Sequence, residues 1–155
     1  MGCAIVLAAM ALSQQKLREI LLQLLYSHDF AHDENGEMIS FLMSHHAVSK
    51  KNLYLAEDKK QRILAHLAKI DELIQSASSA YDLDRISKVE KNILRIGVFE
   101  LCMTDDVPLK VAIAEAVRLA RKFASPEGAS YVNAVLDAIS KGEECISKKE
   151  ESSVS

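Results

Sequence analysis

The chain has 155 residues, of which 49% are hydrophobic and 26% are charged, and its formal net charge is −3. This length fits one domain that is large enough to bury its own core, and the balance is typical of a soluble globular protein. Five glycines and two prolines favour helices over a sheet. The net negative charge excludes a general electrostatic attraction to nucleic acid, so such binding would need a local basic patch.

The first 12 residues form an apolar stretch that is too short to span a bilayer. No basic region precedes it, as a secretory signal would require. We therefore predict that residues 1–12 are an N-terminal extension, and Met10 is an alternative biological start. A helix is predicted over 13–27, capped by Ser13 and carrying an apolar stripe of Leu17, Ile20, Leu21, Leu24 and Leu25.

An acidic loop is predicted over 28–37, and it contains His28 and His32. Metal sites on helices use two histidines that are four residues apart, as these are. The sequence, however, places no third ligand beside them. Two solvated histidines are the simpler interpretation, so we predict no metal site and no cofactor. A free-standing enzyme that uses these histidines with Asp29 and Asp33 is the remote alternative.

Helices are also predicted over 37–48 and, as one long helix or a helix pair, over 52–80. A basic run lies at the start of the latter: Lys50, Lys51, Lys59, Lys60 and Arg62. These cations are able to contact phosphate. Acidic residues three and four positions away, Glu57 before Lys60 and Asp58 before Arg62, favour a solvated face of ion pairs instead.

A central helix is predicted over 87–103 because its residues are apolar over most of the helix circumference. Such helices are usually buried among others. Its charged residues lie in the first half, which we expect to emerge into water: Lys88, Glu90, Lys91 and Arg95. We interpret Cys102 as a small core residue. Three cysteines far apart (Cys3, Cys102 and Cys145) form neither a disulfide framework nor a metal site, which is typical of a cytoplasmic protein.

Two further helices are predicted after the central one. The first begins after Pro108 and continues to about residue 124, since proline suits the first turn of a helix. A turn over 125–128 separates it from the last helix, 130–140. The tail, 141–155, is polar, and we predict that it is disordered. The globular part is therefore an all-α bundle covering residues 13–140.

Three segments of the C-terminal half resemble the NusB family of bacterial transcription antitermination factors: VEKNILRIGVFEL (89–101), DVPLKVAIAEAVRLARKF (106–123) and SYVNAVLD (130–137). A fourth match is an RxxxxQxLY arrangement formed by Arg18, Gln23, Leu25 and Tyr26. Together they cover most of residues 16–140 in the order of the family. The resemblance implies a compact all-α fold of two small helical subdomains.

The resemblance also implies an adaptor that is not an enzyme. Members pair with the ribosomal protein NusE, and the pair binds boxA, a short single-stranded RNA element. This binding modifies the elongating RNA polymerase complex, chiefly in ribosomal RNA transcription. We therefore expect NusE and boxA-type RNA as direct partners, RNA polymerase as an indirect one and no membrane contact. Without its partner, the chain is expected to be a monomer or a homodimer.

Seven residues match the RNA-contacting positions of the family: Lys16, Arg18, Tyr26, Phe123, Glu127, Ser130 and Tyr131. Two carboxylates, Asp84 and Glu90, match those that face the ribosomal partner. Single-stranded RNA is held by cations on its phosphates and by aromatic rings under its bases, so these residue types fit the role. Core packing is an equally good interpretation of Tyr26 and Phe123.

The N-terminal segment departs from the family pattern. It carries only Lys16 and Arg18 where members have several arginines, and Ser130 occupies a position that is often basic. Each lost phosphate contact weakens RNA binding. One alternative is therefore a NusB-like interaction module that docks the ribosomal partner with weak or no RNA binding. Another is a related helical domain of RNA cytosine methyltransferases, but the sequence shows no glycine-rich βα unit.

Overall fold

The computed structural model describes residues 2–29, 50–78, 86–142 and 145, with side chains from residue 14 onward in the first helix. These residues form helices and contain no strand, which confirms the predicted all-α fold. The helices are α1 (Gly2–Asp29), α2 (Lys50–Ala65), α3 (Leu67–Ala77), α4 (Lys88–Val98), α5 (Leu109–Phe123) and α6 (Pro126–Ser140), and a π-helical turn (Phe99–Met103) continues α4. The helix predicted over 37–48 lies outside the described residues.

The chain divides into two compact units, Met1–Arg62 and Ile63–Ser155, and the boundary falls within α2. In the first unit, α1 and α2 pack through an apolar cluster of Ile20, Leu24, Leu53 and Ala56, with Leu17 against it. In the second unit, α4 and α6 contact each other, and each also contacts α3 and α5. The two units correspond to the two subdomains that the resemblance implies.

Helix α1 begins at Gly2, whereas the sequence predicted a start at Ser13 after a separate extension. The first 12 residues are rich in Ala, Leu and Met, which have high helix propensities, and they contain no proline. The helix propensity of these residues therefore favours an α1 that starts well before Ser13. In the part of the chain that the structure describes, none of the helices is long and apolar enough to cross a membrane.

The segment predicted as one long helix or a helix pair is a pair, with the break at His66. The backbone of His66 leaves α-helical geometry (φ −110°, ψ 15°), and its N–H donates to Ile63 O, three residues back, at 3.1 Å. No glycine or proline marks this position. The apolar pattern continues across the break, so periodicity alone does not locate it.

Helix α4 is the central helix of the second unit, as predicted. Every residue from Asn92 to Cys102 is buried, while Lys88 at its beginning is exposed. Arg95 corrects one expectation, because its side chain is buried rather than placed in water. It donates to both carboxylate oxygens of Asp71 on α3, from Nε and Nη2 at 2.9 Å each, and from Nη1 to Asn92 Oδ1 at 3.2 Å.

Gly97 allows α4 and α6 to approach closely. A Cβ atom built there would lie 2.7 Å from Leu136 Cδ1 and 3.0 Å from Cδ2. Leu136 is fully buried, so it has little room to move. The absence of a side chain at residue 97 therefore lets Leu136 pack directly against the α4 backbone.

We expect Gly97→Ala to lower the free energy of unfolding by about 1–3 kcal/mol, the usual cost of overpacking a core. Chemical denaturation measures this cost. The double variant Gly97→Ala/Leu136→Ala should lose less than the sum of its single variants, because the smaller residue 136 makes room for the new methyl group. Stabilisation by Gly97→Ala, as helix propensity alone predicts, would contradict this close packing.

The cysteines correct the sequence analysis. Cys102 and Cys145 form a disulfide, with Cα atoms 4.7 Å apart across 43 residues of sequence. Cys102 is buried as predicted, but it is not a free thiol. Cys145 is also buried, although it belongs to the tail that was predicted to be disordered. Distance along the sequence does not indicate distance in the fold, so the spacing of the cysteines did not predict this pair.

Candidate nucleic-acid and protein interfaces

Three of the predicted RNA-contacting residues lie on α1 in the first unit. Lys16 is exposed, and Tyr26 is 39% exposed, so its ring is accessible. Arg18 is only 7% exposed and is engaged by other groups of the chain. Arg18 lies on the same side of α1 as Leu21, Leu22 and Leu25, which are all buried. The buried side of α1 is therefore broader than the residues that contact α2, and it includes Arg18. Of the two predicted cations, only Lys16 is exposed to solvent.

The other four residues lie in the second unit, at the end of α5 and the beginning of α6. Phe123 closes α5 and is 36% exposed. The Nζ atom of Lys122 lies 5.5 Å from the centroid of its ring, within cation–π distance. An exposed aromatic ring thus has a cation beside it, which is an arrangement suited to a base and its phosphate.

Helix α6 begins at Pro126, so the predicted start at residue 130 is wrong. The residues predicted as a turn, 125–128, form the cap and the first turn of this helix. The Ser125 hydroxyl accepts a hydrogen bond from Gly128 N–H at 2.9 Å, and proline suits the first helical position. Glu127 and Ser130 both lie on the exposed side of this turn.

Tyr131 has a structural contact that the sequence did not indicate. Its hydroxyl lies 2.5 Å from Oγ of Ser78, the residue that follows α3, and Ser78 is buried. The hydrogen bond therefore connects α6 to the end of α3. The phenol ring remains partly exposed, so its hydroxyl holds the helices together while part of the ring faces solvent.

Glu90, the predicted partner-binding residue, lies in the first turn of α4. Ser87 Oγ accepts from Glu90 N–H at 3.2 Å and donates to Glu90 Oε2 at 2.7 Å, so the Ser87 hydroxyl caps α4 and also holds the Glu90 carboxylate. The other carboxylate oxygen lies over Gly128, where a Cβ atom would overlap it. Glu90 is thus fixed beside the positive end of α6. Asp84 lies outside the described residues.

The sequence contained signals for part of this arrangement. Ser87 and Glu90 have the Ser-x-x-Glu spacing of a capping box, and Ser125-Pro126 is a common helix start. The contact between Glu90 and Gly128 joins residues 38 positions apart and leaves no local pattern. Among the described residues, no group of three His, Cys, Asp or Glu side chains is placed to hold a metal ion, while His32 and Asp33 lie outside them.

Comparison with known proteins identifies relatives of the chain. The NusB family model matches residues 15–141. A relative from Anaeromyxobacter sp. (strain Fw109-5), called transcription antitermination protein NusB, is 39% identical over 134 residues, which are 86% of this chain and 93% of that protein.

Two solved structures share the fold. NusB from T. maritima has a TM-score of 0.75 and 29% identity, covering 88% of this chain and 96% of that one. The structure of antitermination factors NusB and NusE in complex with dsRNA contains a chain with a TM-score of 0.71 and 26% identity, covering 83% of this chain and 96% of that one. Because the family model spans most of its length, this chain belongs to the NusB family.

Proposed function

We propose that this protein is a transcription antitermination factor: an adaptor that binds RNA together with the ribosomal protein NusE and makes or breaks no bond itself. The observation that carries the proposal is the match of the family model to residues 15–141. The similar structure of NusB and NusE with dsRNA supports both partners. The finer proposal is that the RNA is a boxA-type single strand, and that binding acts on the elongating RNA polymerase, chiefly in ribosomal RNA transcription.

The exposed side chains support specific RNA contacts. In the first unit, Lys16 binds phosphate, and the accessible ring of Tyr26 stacks on a base. In the second unit, Phe123 stacks on a base while Lys122 neutralises a nearby phosphate. Single-stranded RNA is held by this combination of cations and aromatic rings.

The remaining predicted RNA residues have different roles in this proposal. Glu127 and Ser130 offer exposed oxygen atoms for hydrogen bonds with bases or ribose hydroxyls. Arg18 and Tyr131 act chiefly by positioning, since Arg18 is buried and the Tyr131 hydroxyl is held by Ser78. The burial of Arg18 also favours the alternative function, a module that docks NusE and binds RNA weakly or not at all.

RNA binding measured with and without NusE, over a range of salt concentrations, tests the proposal. We expect affinity for a single-stranded boxA oligonucleotide to fall as salt rises, with a slope of about −0.7 in log K against log[salt] for each phosphate contacted. A duplex of the same sequence is the comparison, because the similar complex contains dsRNA. Salt-insensitive binding near background, with NusE binding intact, would support the docking module instead.

For the protein partner, we expect Glu90→Lys to weaken binding of NusE by about tenfold or more. The coupling energy of a close charge pair across an interface is at least about 1.5 kcal/mol, which corresponds to that factor. A small basic ribosomal protein is attracted to an exposed carboxylate. Binding is measured by calorimetry, and a thermal melt confirms that the variant folds.

The control for this substitution is Glu90→Gln, which removes the charge but keeps a side chain able to accept from Ser87. It should have an intermediate effect on NusE affinity and a smaller effect on stability. If both variants bind NusE as tightly as the unchanged protein, Glu90 serves only to support Ser87, the N-cap of α4, where a cap is worth about 1 kcal/mol of stability.

A further inference from the structure

An exposed aromatic ring lies at the beginning of α2. Tyr54 is 65% exposed, and its neighbour Leu55 is 47% exposed. Lys50 and Lys51 are exposed one turn earlier, and Lys50 Nζ lies 6.0 Å from the centroid of the Tyr54 ring. We call Tyr54, Lys50 and Lys51 the Tyr54 patch, and Leu55 lies next to it.

Core packing does not explain the Tyr54 patch. The side of α2 that faces α1 is formed by Leu53 and Ala56, which are buried. Tyr54 and Leu55 lie on the other side of the helix. Of the large hydrophobic side chains in the described part of the chain, Tyr54 is the most exposed. Its ring therefore presents an aromatic surface to solvent.

The charges near Tyr54 are mainly positive. Lys50 and Lys51 are exposed, and no acidic residue lies among the first seven residues of α2. Glu57 Oε1 accepts from Lys60 at 2.8 Å and from Gln61 at 3.1 Å, so the charge of Glu57 is partly offset by Lys60. Asp58 is exposed one turn beyond Tyr54, and the basic residues Lys59, Lys60 and Arg62 follow it.

We propose that the Tyr54 patch contacts single-stranded RNA, with a base stacked on Tyr54 and adjacent phosphates on Lys50 and Lys51. A flat ring flanked by cations is the arrangement by which proteins hold single strands. The apolar area is small, with Leu55 beside the ring, which fits one base better than a protein interface. The inference rests on the proposed function and extends the RNA contacts to a second helix of the first unit.

The experiment uses the full chain and a single-stranded RNA that carries boxA and extends beyond it at both ends. Tyr54→Ala should lower the affinity roughly 5- to 150-fold, the loss expected when one stacking ring is removed. Tyr54→Phe should bind as well as the unchanged protein, since it keeps the ring. Leu55→Ala, which shortens an exposed neighbour without removing a ring, is the matched control and should also bind normally.

A second measurement tests the phosphate contacts. Lys51→Gln should lower the magnitude of the salt slope by about 0.7, the contribution of one phosphate contact on a single strand. Lys141→Gln makes the same change of net charge in the other unit, where Lys141 pairs with Asp137 at 2.9 Å, and should leave the slope unchanged. With photoactivatable uridines in the RNA, cross-links should map to the tryptic peptide 52–59.

The outcomes separate this inference from the proposed function. If the unchanged protein fails to bind RNA, both are overturned. If it binds RNA and Tyr54→Ala binds equally well, only the inference about the Tyr54 patch is overturned. It is also overturned if Tyr54→Ala and Leu55→Ala both weaken NusE binding while RNA binding stays the same, because the patch would then be a protein interface.

Discussion

Replacing Ile93 with Asp is expected to unfold the second unit. Ile93 is fully buried on α4, within the continuously buried stretch from Asn92 to Cys102. The substitution removes a large apolar side chain, worth about 1.5–3 kcal/mol of burial, and places an ionisable carboxyl group where water does not solvate it. The combined cost is comparable to the total stability of a small domain, about 5–15 kcal/mol.

Circular dichroism during urea or thermal denaturation measures the stability of the Ile93→Asp variant. Ile93→Val is the conservative control and should cost only about 0.5–1.5 kcal/mol. Lys88→Asp introduces the same carboxylate at an exposed position in the first turn of α4, where the helix dipole favours negative charge. It should leave the fold intact. A cooperative transition for Ile93→Asp near that of the unchanged protein would show that α4 is not central to the core.

Ile93 is buried and Lys88 is exposed, and this difference in burial shows why the central helix was predictable. Burial follows the spacing of apolar residues along α4, and that spacing is a property of the local sequence. The apolar stripe of α1 was predicted for the same reason, and Ile20 and Leu24 lie in the cluster with α2. In contrast, the break at His66 depends on how neighbouring residues pack, and no breaker residue marks it.

Pairs of residues distant in the sequence were not predictable from local patterns. Cys102 and Cys145 are 43 residues apart in the sequence, yet the fold joins them in a disulfide. Arg95 was placed in water because it is charged, although Asp71, 24 residues earlier, pairs with it. Charge alone does not indicate exposure, because a buried arginine is stable when a carboxylate satisfies its donors.

The resemblance gives positions for the candidate RNA contacts, but it does not give their exposure. The resemblance assigned Lys16 and Arg18 the same role, but α1 buries the second of them. Tyr54 shows the opposite limitation. It was not singled out, because its flanking lysines were interpreted as a solvated face of ion pairs. The structure adds the exposed fraction of its ring, and exposure is the property that RNA stacking requires.

The pair of Arg95 and Asp71 leads to the second large expected effect. Asp71→Ala should lower the free energy of unfolding by about 3 kcal/mol, near the lower end of the range for breaking a buried ion pair, because Asp71 remains partly exposed. The reason is not the loss of attraction alone. The guanidinium stays buried in α4 without the carboxylate that accepts from both Nε and Nη2, so its desolvation is no longer offset.

Two controls separate burial from simple charge pairing. Asp71→Asn keeps one hydrogen-bond acceptor for the guanidinium and should cost less than Asp71→Ala. Asp137→Ala breaks an exposed pair with Lys141 at the same 2.9 Å distance and should cost less than about 1 kcal/mol. High salt should reduce the effect of Asp137→Ala and leave most of the effect of Asp71→Ala, since salt screens exposed charges more than buried ones. Equal costs for the two Ala variants would mean that Arg95 reaches water, and that the connection between α3 and α4 does not depend on this ion pair.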